Sequence, residues 1–236
     1  IVQESLQGAG KHKKGMEKEG VDMKIKICGI TSEREAQYLN EAHVDYAGFV
    51  FYEKSKRNIT IDKAREISGI LNPDIKKVAV MVSPCVEQFI EKQDAGFDVI
   101  QIHGDVDKKI LEAARVPIWL AINFTDEEFD NRVAWLESLD KSRYNKITGI
   151  VVDSKNFGSG ESFDWKKNKD RLDGEVFRDK EFILAGGLKP DNVDSAISTL
   201  HPDIVDVSSG VESSPDTVGK DKRLIDDFVG AVRSNI

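Results

Sequence analysis

The sequence predicts a single α/β domain, a (β/α)8 or TIM barrel, and three observations support that prediction. The chain has 236 residues, which is long enough for one large domain with a sizeable core. From Lys24 onward, short runs rich in Val and Ile alternate with amphipathic stretches that have helical spacing. Eight such runs occur at intervals of about 26 residues, close to the minimum for a strand, its helix and the return to the next parallel strand.

Strands and helices follow in chain order from these runs. The apolar runs predict strands at Lys24–Cys28, Tyr46–Phe51, Lys77–Met81, Val99–Ile102, Ile118–Ile122, Gly149–Val152, Phe182–Ala185 and Ile204–Val207. Helices, several opened by Ser, Thr, Asp or Pro in capping positions, are predicted at Ser32–Glu41, Ile61–Leu71, Val86–Gln93 and Asp191–Thr199. Residues 24–236 therefore form the predicted barrel. The irregular stretch Ser154–Asp164 after the sixth strand is predicted to be a mobile active-site loop.

An open, doubly wound sheet is the competing architecture, because it also alternates strands and helices. Such a sheet normally has fewer strands and a glycine-rich turn after the first one. The first strand here runs into Cys28-Gly29-Ile30-Thr31, and neither G-x-G-x-x-G nor a Walker-type P-loop occurs. The barrel is therefore the favoured prediction.

The first 23 residues are polar and differ in composition from the rest. They carry no apolar run of the length of a signal peptide or a membrane anchor. Their Gly, Lys and Glu content is typical of a flexible linker. Because the chain opens at Ile1, we expect residues 1–23 to be a linker from a longer polypeptide or an extension added for expression.

Charge and cysteine content narrow the classes of partner. The chain has 34 Lys and Arg against 42 Asp and Glu, a net charge of −8, which argues against general binding of nucleic acid or of a membrane surface. An anionic small molecule is compatible with this charge, since local amides or a single Arg outweigh a diffuse negative background. Two cysteines argue against a disulfide framework and show no zinc-type spacing, so a reducing cytoplasm is expected. Cys85, after Pro84 at a predicted helix start, is expected to pack or to lie exposed.

The ends of the seventh and eighth strands are rich in Gly and Ser. Functional groups in such a barrel come from the carboxyl ends of the strands, and phosphate sites recur after strands seven and eight. Small residues let a ligand approach backbone N–H groups, and a short helix start adds its positive dipole end. We predict a phosphate site there, with a tight turn at the glycines as the alternative. The residues concerned are Gly186, Gly187, Ser208, Ser209 and Gly210.

Cys28 is predicted to face the barrel interior at the end of the first strand. Strand alternation puts Lys26 on the same face and turns Ile25 and Ile27 toward the helices. A cationic neighbour and partial exposure favour a thiolate, whereas most free cysteines are small buried hydrophobes, and the pattern leaves both open. Lys26 needs a counter-charge inside the barrel, and the predicted partner is Asp206 on the adjacent eighth strand. The alternative turns Asp206 toward the helices.

Three further polar residues follow strands two, four and six. Asp153 directly follows an apolar run, and a rim carboxyl is either a general acid, if burial raises its pKa, or a capping group. Arg57 has a fork that suits a carboxylate, although its loop with Lys54 and Lys56 is equally consistent with a solvated basic loop. His103 is a candidate proton carrier or a hydrogen-bonded structural residue, and the four His residues show no metal-ligand spacing.

Six motifs in order along residues 24–236 carry a family resemblance. They are Lys26-Ile27-Cys28-Gly29-Ile30-Thr31; Gly48-Phe49-Val50-Phe51 with Ser55-Lys56-Arg57; Gln101-Ile102-His103-Gly104; Asp153 with Gly158-Ser159-Gly160 and Phe163-Asp164-Trp165; Leu184-Ala185-Gly186-Gly187-Leu188 with Pro190 and Asn192-Val193; and Asp206-Val207-Ser208-Ser209-Gly210-Val211-Glu212. In these segments the chain resembles the phosphoribosylanthranilate isomerases of tryptophan biosynthesis. One such motif would be weak, but six in sequence are specific.

The resemblance implies a (β/α)8 enzyme that uses no metal or organic cofactor. Members convert N-(5′-phosphoribosyl)anthranilate to 1-(o-carboxyphenylamino)-1-deoxyribulose 5-phosphate, an Amadori rearrangement. It implies that Asp153 is the general acid that protonates the furanose ring oxygen, and that Cys28 is the general base that removes the C2 proton.

The resemblance also implies the substrate contacts. Arg57 is expected to hold the anthranilate carboxylate, and the loops around Gly187 and Ser209-Gly210 are expected to hold the phosphate, with His103 also at the substrate. The partner is then a phosphorylated small molecule, with neither nucleic acid nor membrane. Some relatives are fused to other pathway enzymes, so fusion or association with one of them is a further expectation.

Two alternatives stay open. Another phosphate-binding barrel, such as an indole-glycerol-phosphate synthase or a sugar-phosphate epimerase, would carry different groups on the strand ends, for a synthase Lys and Glu. A non-catalytic barrel could bind a phosphorylated ligand or a partner protein. The joint presence of Cys28, Asp153 and Arg57 disfavours both.

Overall fold

The computed structural model describes residues 23–123, 126–153, 177, 179–214 and 218–234. Eight parallel strands close into a barrel in chain order. They are β1 Lys24–Cys28, β2 Tyr46–Phe51, β3 Lys76–Val82, β4 Val99–His103, β5 Ile118–Asn123, β6 Ile147–Asp153, β7 Glu181–Leu184 and β8 Ile204–Val207. The predicted (β/α)8 barrel is confirmed. The open sheet is excluded because the series β1 to β8 is closed by pairing of β1 with β8, which leaves no edge strand.

Helices follow the strands on the outside of the barrel. Within the described ranges they are α1 Glu33–Ala42, α2 Ile61–Ser68, α3 Val86–Asp94, α4 Lys108–Ala113, α5 Asp126–Glu137, α6 Lys141–Tyr144, α7 Val193–Leu200 and α8 Lys222–Arg233, with a 3₁₀ turn at Ser209–Val211. The four helices predicted from the sequence all occur, with shifted ends. Ser32, predicted as the first residue of α1, is its N-cap, and its side chain accepts a hydrogen bond from the Glu35 N–H.

Some strands run further toward the rim than their apolar runs. Strands β4, β5 and β6 end at His103, Asn123 and Asp153, one residue beyond the predicted ends. These polar residues keep strand register, as the pairs Val82–His103 and Asn123–Asp153 show. Hydrophobicity marks the apolar part of a strand, whereas backbone pairing continues to polar residues, of which His103 and Asn123 are also buried.

The alternation of side chains divides the core into two layers. In β1, Ile25 and Ile27 are buried in the larger outer layer between strands and helices, while Cys28 belongs to the inner layer that fills the barrel. Two glycines make room inside. A Cβ at Gly48 would lie 2.9 Å from the Cys28 Sγ, and one at Gly149 would lie 2.6 Å from the ring of Trp119.

The same hydrogen-bonding pattern occurs three times at the amino-terminal face of the barrel. An Asp directly before a strand accepts, through its side chain, a backbone N–H from the start of the preceding strand. The pairs are Asp45 with Ile25 at 2.8 Å, Asp98 with Lys77 at 2.8 Å and Asp203 with Phe182 at 2.9 Å. In each pair the Asp N–H also donates to the carbonyl of the same partner, so both backbone groups at these strand starts are satisfied.

The predicted loop Ser154–Asp164 and residues 1–22 of the predicted extension lie outside the described residues. Met23 is described: it packs against the outer core, and its carbonyl accepts a 2.8 Å hydrogen bond from Arg233 at the end of α8. Searched over the described ranges, the helices include none that is long and apolar enough to cross a membrane.

Candidate active site

A cavity of about 450 Å³ opens at the carboxyl ends of the strands. Its walls bring together residues from strands and loops distant in the chain. Of the residues singled out from the sequence, it is lined by Cys28, Arg57, His103, Asp153, Gly186, Gly187, Asp206, Ser208 and Ser209. A larger concavity of about 930 Å³ lies outside the barrel mouth, beside α2 and α3, and contains none of these residues.

Below the cavity floor, Lys26 carries its ammonium into the barrel interior. Its side chain has no exposure to solvent, and its Nζ lies 2.6 Å from Asp206 Oδ2. The two residues are direct register partners across the β1–β8 pairing. The predicted Lys26–Asp206 ion pair is confirmed, and the alternative that turns Asp206 toward the helices is wrong. The other carboxylate oxygen of Asp206 is buried without a hydrogen-bond partner among the described residues.

The thiol of Cys28 lies above this pair, at the edge of the cavity. The side chain is only 9% exposed, so the partial exposure considered from the sequence is small. Burial raises the pKa of Cys28 above its ordinary value, while the nearby Lys26 and Lys220 ammonium groups oppose that rise and Asp206 adds to it. In the free protein burial therefore outweighs the cations, and the protonated thiol is favoured.

Arg57 is buried and ion-paired rather than solvated. Only 8% of the residue is exposed. Its Nε and Nη2 donate to the two carboxylate oxygens of Glu212 at 2.6 and 2.8 Å, and Lys220 Nζ donates to Glu212 Oε1 at 2.8 Å. Burial disfavours the Glu212 carboxylate, but the hydrogen bonds and charges of these two cations lower its pKa to about 2. The solvated-loop alternative for Arg57 is wrong.

Glu212 and Lys220 are two residues of the cluster for which the sequence predicted no role. Glu212 is the last residue of the eighth-strand motif, and its place in that motif is a sequence signal that could have identified it. Lys220 lies in a short polar run with Asp221 and Lys222, which looks like ordinary surface. Its burial to 6% exposure is set by the packing of that segment against Glu35, whose carboxylate accepts the Lys220 N–H at 2.6 Å.

The Gly- and Ser-rich loops after β7 and β8 lie close together. Gly186 and Gly187 have φ values of 80° and 71°, which favour glycine, and both line the cavity. The tight turn is therefore present, and the phosphate site stays a prediction. Ser208 Oγ donates to the Cys28 carbonyl at 3.0 Å, tying the eighth loop to β1. A Cβ at Gly210 would lie 1.9 Å from the Leu188 carbonyl oxygen, so this glycine is required by close approach.

His103 is fully inside the cavity wall. Its Nε2 lies 2.8 Å from Gln101 Nε2, and burial together with the Lys26 charge lowers its pKa to about 3. The imidazole is therefore neutral at neutral pH, which favours the hydrogen-bonded structural role over the proton carrier. In the part of the chain that the structure describes, no group of three His, Cys, Asp or Glu residues is placed to hold a metal ion.

A closed barrel with its polar cavity at the carboxyl ends of the strands has the architecture of a (β/α)8-barrel enzyme. Residues 25–231 match the family model for N-(5′-phosphoribosyl)anthranilate (PRA) isomerase. The chain belongs to this family, and the resemblance drawn from its motifs is confirmed.

Relatives match over nearly their full length. The N-(5′-phosphoribosyl)anthranilate isomerase of Thermoanaerobacter pseudethanolicus is 36% identical over 218 residues, covering 89% of this chain and 98% of that protein. The crystal structure of the isomerase from Thermotoga maritima superposes with a TM-score of 0.76 at 33% identity, covering 90% of this chain and 99% of that one. A phosphoribosylanthranilate isomerase crystallised with reduced 1-(o-carboxyphenylamino)-1-deoxyribulose 5-phosphate matches with a TM-score of 0.73 at 32% identity, over 90% of this chain and 99% of that one.

Proposed function

We propose that this chain converts N-(5′-phosphoribosyl)anthranilate to 1-(o-carboxyphenylamino)-1-deoxyribulose 5-phosphate by general acid–base catalysis. The observation that carries the proposal is one cavity, in a member of this family, that is lined by both Cys28 and Asp153. Its volume of about 450 Å³ is of the size used for small-molecule substrates. Cys28 ends β1 and Asp153 ends β6, so the two side chains approach a sugar bound between them from different sides.

Asp153 at the end of β6 is the proposed acid. Its proton goes to the furanose ring oxygen, the bond between that oxygen and C1 breaks, and the nitrogen lone pair forms the C1=N iminium. Ring opening needs this proton because an alkoxide is a poor leaving group. The product of the step is an open-chain Schiff base with a new hydroxyl group.

Cys28 is the proposed base for the second step. The iminium acidifies the C2–H bond, and the thiolate takes that proton while the electron pair forms the C1=C2 enolamine, which tautomerises to the ketone. The thiol is favoured in the free protein, but the positive iminium beside it adds to the effect of the Lys26 and Lys220 charges in favouring the thiolate. The thiolate form of Cys28 is therefore most favoured once the substrate has been activated.

The two ends of the substrate are anionic, and the cavity has a candidate site for each. We assign the anthranilate carboxylate to Arg57, whose fork suits it and which lines the cavity. We assign the phosphate to the loops of Gly186-Gly187 and Ser208-Ser209-Gly210, of which all but Gly210 line the cavity. His103, neutral and buried, is proposed to contact the substrate without exchanging a proton.

The catalytic assignment is tested by turnover. Phosphoribosylanthranilate is generated in the assay because it is unstable, and the loss of its fluorescence is followed. Cys28→Ser and Asp153→Asn should each lower kcat by at least about a hundredfold, the usual scale for a general acid or base. Cys85→Ser, at the exposed cysteine, and Asp227→Asn, on the outside of α8, are the matched controls and should keep normal turnover.

Two outcomes of that assay are decisive. No turnover by the unaltered protein contradicts the proposed reaction. Near-normal turnover by both Cys28→Ser and Asp153→Asn leaves the reaction in place and contradicts the assigned roles.

Location and association are further parts of the proposal. A reducing cytoplasm suits the two free cysteines. Fusion to, or association with, another enzyme of tryptophan biosynthesis stays a prediction, to be checked by size-exclusion chromatography of the protein with candidate pathway enzymes.

A further inference from the structure

Arg57 meets Glu212 with one edge of its guanidinium group. The bonds run from Nε and Nη2, so the side edge is occupied. A guanidinium has five N–H donors in a fixed plane, and its end edge, made by Nη1 and the second N–H of Nη2, also fits a carboxylate in a two-bond fork. Arg57 lines the cavity, whereas Glu212 does not. Glu212 therefore contacts the guanidinium on the side away from the cavity.

Lys220 is a buried ammonium at the same carboxylate. Its Nζ lies within hydrogen-bond reach of Glu212 Oε1 at 2.8 Å, of the Ser208 carbonyl at 3.1 Å and of Ser208 Oγ at 3.3 Å. The Ser208 hydroxyl uses its own proton on the Cys28 carbonyl, so it accepts from Lys220. Three acceptors match the three N–H donors of the charged form of lysine, and Glu212 opposes the burial that lowers the pKa of Lys220.

The charge balance of this cluster depends on Lys220. Arg57 and Glu212 alone form a neutral pair. Lys220 brings the sum to one positive charge, and Lys56 approaches the other oxygen of Glu212 at 3.4 Å from a side chain that is 36% exposed. Because Lys220 has no side-chain exposure, its charge is little screened by solvent.

On the basis of the proposed function, we propose that Glu212 and Lys220 are positioning residues that make Arg57 a receptor for the carboxylate of the substrate. Glu212 fixes the plane of the guanidinium so that its end edge faces the cavity. Lys220 neutralises Glu212, so that the positive charge of Arg57 is available to the substrate and not consumed by its structural partner.

The same ammonium holds the neighbouring loop. Its two bonds to Ser208, and the Ser208 bond to the Cys28 carbonyl, connect the Arg57 cluster to the eighth loop and to β1. The backbone of Lys220 is held separately, because its N–H donates to Glu35. The eighth loop likewise keeps the Ser208 hydroxyl bond to the Cys28 carbonyl and the Asp221 N–H bond to the Val211 carbonyl. A substitution of the Lys220 side chain therefore removes the charge without releasing either segment.

The test compares two probes that differ in one carboxylate. The first is reduced 1-(o-carboxyphenylamino)-1-deoxyribulose 5-phosphate, and the second is the same compound with phenyl in place of carboxyphenyl. Lys220→Met should weaken binding of the first by about tenfold or more, the scale of one charge-assisted contact, and binding of the second by less than about threefold. Lys222→Met, two residues on and with 42% of its side chain exposed, is the control and should change neither affinity.

A double variant separates positioning from general structural damage. In an Arg57→Ala background, Lys220→Met should produce no further loss of selectivity for the carboxylate probe, because its route to the substrate has been removed. A structural role predicts equal weakening of both probes, in either background, and that result overturns the proposal.

A substitution of the exposed Lys56 tests the same proposal if Lys220→Met does not fold. Lys56→Gln removes the other cation at Glu212 and should weaken only the carboxylate probe, by about twofold to threefold, again only when Arg57 is present. Equal effects on both probes contradict the inference. Both tests measure binding, so failure of the inference is distinct from failure of the proposed function, which is judged by turnover of the unaltered protein.

Discussion

Lys26 has no exposed surface, yet its side chain ends in an ammonium group inside a barrel lined mainly by apolar side chains. Its contact with Asp206 offsets the cost of burying both charges. The pair has a chemical consequence for the cysteine above it. Lys26 favours the thiolate of Cys28, Asp206 disfavours it, and burial adds to the second effect, so the resting cysteine is a thiol.

The raised pKa of Cys28 makes a pH dependence that can be measured. A raised cysteine pKa means that the thiolate forms only as the pH rises through that higher value. In a Cys85→Ser protein, alkylation of Cys28 by iodoacetamide should therefore reach half its maximal rate at a higher pH than alkylation of the uncharged reference N-acetylcysteine methylamide in the same solution. A midpoint below that of the reference contradicts the burial effect.

Backbone N–H groups at the starts of strands β1, β3 and β7 donate hydrogen bonds to the carboxylates of Asp45, Asp98 and Asp203. These carboxylates lie on the face opposite the cavity, where residues of a barrel serve stability and not chemistry. Asp98→Ala leaves the Lys77 N–H without its side-chain acceptor and should lower the free energy of unfolding by about 1 kcal/mol. Urea denaturation measures this, with Asp227→Ala as the control. A fall in kcat of the Asp98→Ala protein would show that the two faces are coupled.

Periodicity predicted most of the strands and the direction of their side chains. It placed Lys26 and Cys28 inside, and chain order placed Asp206 on the neighbouring strand, because both follow from backbone geometry that repeats every two residues. Periodicity could not predict that Arg57 binds Glu212. The two residues are 155 positions apart and both lie in loops, so their meeting depends on the paths of irregular segments. For the same reason Lys220 was indistinguishable from a surface lysine.

Among the described residues, the eight strands that close the barrel lie between Lys24 and Val207. We propose that residues 24–236, together with Met23, which packs against the outer core, are sufficient as a folding unit. A protein lacking residues 1–22 should keep its Tm within about 2 °C and keep its kcat. Removal of residues 1–24 should lower the Tm, because it deletes the Lys24–Glu181 ion pair and the Met23 carbonyl bonded by Arg233. Equal Tm values for the two truncations would show that Met23 and Lys24 do not stabilise the domain, and its boundary would then lie after Lys24.

The glycine at position 48 faces the sulfur of Cys28, with room for only a hydrogen atom between them. Any side chain at position 48 meets the Cys28 sulfur and also the β1 backbone, because its Cβ would lie 3.0 Å from the Cys28 Cα. A smaller residue at position 28 would remove the contact with the sulfur but not the contact with the backbone. Position 48 therefore stays closed to larger side chains whichever group a descendant carries at position 28, and replacement of the cysteine alone does not open this wall of the barrel.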